Sequence, residues 1–120
     1  MARILVVSYI TELLQARERV LQSAGYEVTA AQSLAAATNA IQQQVYDAAV
    51  LGFGVPEDQR IQFARQLKRE NSGVKILMIY FETLPNTDLA DALMPASAND
   101  EEILRAIHHL LKECKRERTG

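Results

Sequence analysis

Tyr46-Asp47-Ala48-Ala49-Val50-Leu51-Gly52-Phe53-Gly54-Val55-Pro56 is the stretch on which the reading of this chain turns. Ala48-Ala49-Val50-Leu51 is an unbroken apolar run of strand length, the mark of a strand buried on both faces of a parallel sheet. Gly52 ends the run, and Pro56 follows in a loop. Asp58 is placed to cap a helix over 59–70, with Ile61, Ala64 and Leu67 on its apolar side and Arg65 and Lys68 on its charged side. Asn71-Ser72-Gly73 then stops it.

The same alternation runs outward in both directions. Upstream, Ile4-Leu5-Val6-Val7 predicts a first buried strand. A helix begins near Thr11, with Leu13, Leu14, Val20, Leu21 and Ala24 on its apolar stripe, Arg17, Glu18 and Arg19 facing outward, and Gly25 as its stop. Tyr26 to Ala30 predicts a second strand with Val28 in the core, and Ser33 caps a helix over 34–44 carried by Leu34, Ala37, Ile41 and Val45. Downstream, Val74 to Phe81 is the strongest strand, and Ala92-Leu93-Met94 is a short fifth. Asn99 with Glu102 three residues later forms a capping-box pattern before a final helix with Ile103, Ala106, Ile107, Leu110 and Leu111 inward. His108 and His109 lie beside that stripe and point apart, which suits a surface rather than a shared metal.

Strand and helix thus alternate about five times, which predicts an α/β fold: a parallel sheet with helices on both faces. At 120 residues with 48% hydrophobic residues, the chain fits one domain and one core. We divide it into a folded unit, 1–112, and a basic tail, 113–120, that could lead toward a linker or output domain. A net charge of −2, from 13 basic and 15 acidic residues, argues against direct nucleic-acid binding. Cys114 is the single cysteine, so no internal disulfide forms; this favours a reducing compartment such as the cytoplasm. No apolar run approaches about 18 residues, so no membrane span is expected.

Ligand-binding groups in open α/β sheets gather at the carboxyl ends of the strands. Here those ends are Ser8-Tyr9, Ala30-Ala31, Gly52-Phe53-Gly54, Tyr80-Phe81 and Pro95-Ala96-Ser97. They hold no carboxylate, lysine or arginine. Magnesium requires oxygen ligands, usually carboxylates, and phosphoryl transfer requires cations. No catalytic residue, metal ligand or cofactor-binding motif is therefore assigned. Gly52 and Gly54 lack the spacing and Lys-Ser/Thr pair of a phosphate loop.

The succession of segments resembles the receiver domain of two-component response regulators (CheY-like) along almost the whole chain. Ile4 to Val7, Tyr46 to Leu51 and Lys75 to Ile79 look like that family's first, third and fourth strands. The resemblance implies a doubly wound, flavodoxin-like five-stranded sheet of order 2-1-3-4-5. It also places changes at every switch position. Ser8-Tyr9 stands for the acidic magnesium ligands, Gly52 for the phosphoacceptor aspartate, Tyr80 for the switch threonine or serine, Ala96 for the lysine, and Leu93 for the rotating aromatic. Only eight residues, Glu82 to Leu89, separate Phe81 from Ala90, and they include Pro85. The fourth helix is thus expected to be shortened or missing.

These features imply a degenerate pseudo-receiver: a non-phosphorylatable protein-interaction module in bacterial signalling, with a homodimer through a non-standard face left open. Phe53, Phe81 and Leu93 are its candidate interface residues. Tyr80 and Phe81 are expected to fill the space of the lost pocket; exposed partner anchors are the alternative. A second reading is a small-molecule sensor with its ligand over Tyr9, Phe53 and Tyr80. A third is an enzyme, which would need catalytic groups converging from elsewhere. A conventional phosphorelay role would rest on family likeness alone.

Overall fold

The elements run β1 (Arg3–Val7), α1 (Thr11–Ser23), β2 (Glu27–Ala31), α2 (Leu34–Gln43), β3 (Ala48–Leu51), α3 (Glu57–Glu70), β4 (Lys75–Tyr80), β5 (Ala92–Pro95) and α4 (Asp100–Thr119). The computed structural model describes residues 2–52, 54–81, 84 and 88–119, with 113–119 described by their backbone alone. Phe53 and Pro85, named above as an interface residue and a helix breaker, lie outside the described residues, as does the side chain of Cys114.

The strands form one parallel sheet in the order β2-β1-β3-β4-β5. Successive side chains of a strand point to opposite faces, and the sequence uses both. Ile4, Val6, Ala48, Val50, Leu77 and Ile79 pack on one face with Leu14 and Leu21 of α1 and Ile103, Ile107 and Leu110 of α4. Leu5, Val7, Ala49, Leu51, Ile76 and Met78 pack on the other with Ala37 and Ile41 of α2 and Phe63, Ala64 and Leu67 of α3. The uninterrupted apolar runs are thus strands covered twice, as a parallel sheet requires.

Local signals set most boundaries. Ser33 Oγ accepts from the Ala36 N–H at 3.1 Å, and Asn99 and Glu102 exchange the two hydrogen bonds of a capping box, 2.8 and 3.3 Å. Gly25 follows α1 with φ of 96°, a conformation glycine adopts without steric penalty. Asp47 is at the amino edge, where its carboxylate accepts from the Arg3 N–H at 2.8 Å.

Four expectations need correction. The N-cap of α3 is Pro56, so Asp58 sits inside the first turn and does not cap. Val45 is 68% exposed because α2 ends at Gln43, before the apolar stripe could reach it. In β2, Ala31 is the buried residue and Val28 is half-buried, since an edge strand is covered less completely. Arg17 does not face solvent: it is 3% exposed.

No helix links β4 to β5 among the described residues. Leu89 and Ala90 instead pack against the α2/α3 face. Asp91 fixes the return. Its N–H donates to the Ile76 carbonyl at 2.8 Å, and its carboxylate accepts from the Ile76 N–H at 2.7 Å and Lys68 Nζ at 2.9 Å.

Candidate functional site at the carboxyl edge of the sheet

Gly52 follows β3 and stays in register with β1, donating its N–H to the Val7 carbonyl at 2.9 Å. Its φ is not in the left-handed region, which among the described glycines only Gly25 enters. The need for glycine here is spatial. A Cβ at position 52 would lie 2.9 Å from Arg17 Nη1, 3.1 Å from the Val7 carbonyl oxygen and 3.3 Å from Ser8 Cβ. Side chains at 48 and 50 face α1 and α4, so by alternation a side chain at 52 would point toward the same helices. The guanidinium of Arg17 fills the start of that space.

The route of Arg17 follows from helix geometry. Leu14, Arg17 and Leu21 are spaced i, i+3 and i+7, so all three fall on the core-facing stripe of α1. A helical side chain leans toward its helix N-terminus. In a strand-helix unit that end stands at the carboxyl edge of the sheet. A long side chain on this stripe can therefore bury its stem against the core and deliver its charged head to the edge.

Arg60 repeats the arrangement from the opposite face. Arg60, Phe63, Ala64 and Leu67 form the buried stripe of α3, and Arg60 is 6% exposed. Its Nη1 donates to the Ile79 carbonyl near the end of β4. Two arginines thus reach the same sheet edge from opposite layers. The strand ends hold no basic side chain, but the edge does, and the cations arrive from the helices.

Neither guanidinium is fully paired. Arg17 Nε and Nη1 and Arg60 Nε are buried without a hydrogen-bond partner among the described residues. Burial lowers the pKa of Arg17, an effect partly offset by the charge of Asp100. Burial likewise lowers that of Arg60, offset by Glu57. Both carboxylates lie in first turns, Asp100 of α4 and Glu57 of α3.

The remaining candidates are dispersed. Ser8 is fully buried, and its hydroxyl accepts from the Ile10 N–H at 3.2 Å, a local turn bond that uses the oxygen internally. Tyr9 is 36% exposed and donates its hydroxyl to Gln59 Oε1 at 3.0 Å, tying the loop after β1 to the first turn of α3. Gly54 seats the two loops together, since a Cβ there would lie 3.0 Å from Ile10 Cγ1. Tyr80 and Ala96 are half-buried, and the Ala96 N–H donates to the Tyr80 carbonyl at 2.7 Å. Phe81 is 62% exposed, so it does not fill the pocket as expected; Arg17 stands against Gly52 in its place. Leu93 and Leu84 are exposed as well. Among the described residues no three His, Cys, Asp or Glu side chains are grouped to hold a metal ion.

The buried arginines are what the sequence reading missed. Their signal was periodicity: each sits on its helix's apolar stripe, at 14-17-21 and 60-63-64-67; the residue type of Arg17 suggested an outward cation, and Arg60 was not singled out.

The model of the response regulator receiver domain family matches residues 4–101. The chain therefore belongs to that family, the receiver modules of two-component signalling. Among solved structures, it is similar to a CheY-like response regulator receiver domain protein from Methanospirillum hungatei: TM-score 0.88 and 24% identity over 98% of each chain. It is also similar to the chemotaxis protein CheY4 from Vibrio cholerae, with TM-score 0.81 and 24% identity over 92% of this chain and 98% of that one. The response regulator TrrA from Thermotoga maritima, solved with Mg(2+)-BeF, gives TM-score 0.79 and 24% identity over 92% of this chain and 99% of that one. No curated protein matches the sequence. No helix among the described residues is long and apolar enough to cross a membrane.

Proposed function

We propose that this chain is a pseudo-receiver: a non-phosphorylatable protein-interaction module of two-component signalling. One observation carries the reading. The space where an aspartate side chain at position 52 would begin is taken by the Arg17 guanidinium. A phosphoacceptor site needs carboxylates to hold magnesium and an open carboxylate to receive the phosphoryl group. Here glycine, serine and tyrosine stand at the strand ends, and the cation in the pocket comes from a helix core. On this reading the module is not an enzyme and acts in the cytoplasm.

The connection from β4 to β5 supports interaction as the output. Phe81 and Leu84 are exposed there, at 62% and 60%, and Leu93 of β5 is 38% exposed. Aromatic and aliphatic anchors of this kind form interface centres. We assign this side of the molecule to a protein partner, which includes a second copy of the chain.

The test is exposure of the purified protein to acetyl phosphate with magnesium, read by intact-mass spectrometry. The expected result is an unmodified mass. Stoichiometric covalent phosphate would overturn the proposal.

A further inference from the structure

We propose that the carboxyl edge of this sheet is a binding site for a small oxyanion, such as a phosphate, sulfate or carboxylate group, received by the buried guanidinium of Arg17. The inference goes beyond the interaction role above and does not depend on it.

The argument starts from a buried cation with open donors. Arg17 is 3% exposed, and its Nε and Nη1 have no hydrogen-bond partner among the described residues. Buried polar groups are nearly always satisfied, so an orphaned pair of donors on a charged group calls for a ligand. An arginine fixed by its packing is pre-shaped for oxyanions.

The surroundings favour the same sign of ligand. Arg60 reaches the edge from the opposite face, and its Nε is likewise unpartnered. The helices α1 and α3 begin at this edge, and their N-terminal dipoles add positive potential. Asp100 and Glu57 are the nearby carboxylates that temper the two arginines. Nε and Nη1 of Arg17 remain open despite Asp100.

Ser8 Cβ borders the Gly52 position, and the next residue, Tyr9, is held to Gln59 by one exposed hydrogen bond.

Thermal unfolding at constant ionic strength tests the proposal, with phosphate, sulfate and acetate each compared with chloride. At roughly tenfold excess over Kd, an oxyanion should raise Tm by about 6 °C. The three arms identify which group the site prefers. R17M should be indifferent to all three anions, while R105M, altered at a 76%-exposed arginine, should respond as wild type. In the unaltered protein, amide resonances of Ser8 and Gly52 should shift and saturate with the preferred anion, and return on dialysis. That measurement stands even if R17M fails to fold. Equal effects of chloride and every oxyanion, a full response in R17M, or resonance shifts confined to exposed arginines would overturn the site. A shift that persists after dialysis would overturn it too, because it would report covalent modification.

Discussion

The guanidinium of Arg17 lies where a side chain at position 52 would begin, so the two residues form a couple. Gly52→Ala forces the buried Nη1 to move from 2.9 Å and leaves the new Cβ only 3.1 Å from the fixed Val7 carbonyl oxygen. Overpacking of this kind costs about 1–3 kcal/mol, against roughly 0.4–1 kcal/mol gained by restricting the unfolded chain. A net loss of about 1 kcal/mol is expected in urea unfolding. In the Arg17→Ala background the loss should disappear, giving a non-additive double-mutant cycle. Additivity would mean that the Val7 carbonyl, not Arg17, sets the limit. Gly52→Asp should likewise fail to create a phosphate switch. Its carboxylate would sit beside Arg17 and be taken up by a charge-assisted pair, and no acidic neighbours at Ser8 and Tyr9 would hold magnesium. Intact mass after acetyl phosphate treatment should stay unchanged.

At the scale of elements, the return from β4 to β5 is held by a polar clasp. Asp91 satisfies the N–H of fully buried Ile76 and holds Lys68, whose Nζ also donates to the Val74 carbonyl at 2.7 Å. Asp91→Ala strands that N–H and should cost about 2 kcal/mol in denaturant unfolding, within the usual range of 1–3 for an orphaned buried group. A second contact joins α4 to the start of β2, where the Tyr26 hydroxyl and His108 Nδ1 are 3.2 Å apart. Burial raises the Tyr26 pKa above its ordinary 10.0. The folded state therefore keeps this proton to higher pH than the unfolded state. Its contribution is fully present below about pH 10 and is lost as pH rises through the folded value. Tyr26→Phe should flatten that part of the stability profile above pH 10 relative to wild type.

For the whole molecule, the flank beside the connection from β4 to β5, which holds no helix among the described residues, is the candidate output face. Replacing both Phe81 and Leu93 with Asp touches side chains that are 62% and 38% exposed. Folding stability should shift by no more than about 0.5 kcal/mol, as for most surface changes. Partner capture or self-association, read by analytical ultracentrifugation, should be lost. Unchanged association would move the interface elsewhere.

Much of the architecture was legible because it rests on local chemistry. Ile4 to Val7, Ala48 to Leu51 and Ile76 to Ile79 are apolar on both faces, and no arrangement but a doubly covered parallel sheet hides them. Ser33, Asn99-Glu102 and Gly25 announce helix ends through bonds and torsions made within a few residues. The absence of an acid at position 52 and of a fourth-helix-length segment after β4 was equally plain. What occupies the pocket was not. Arg17 and Arg60 carry the most polar of side chains on core-facing stripes, and only the packed layers show their heads carried past the core to the sheet edge. Phe81 was misplaced for the complementary reason: an aromatic that follows a buried strand is buried only where other elements cover it, and Phe81 is 62% exposed. The sequence by itself determined the strands, the helices and the absence of acidic residues at the strand ends, since each is written in neighbouring residues. The tertiary structure decided that arginine heads reach that edge, because a long side chain reaches chemistry that its own segment cannot reveal.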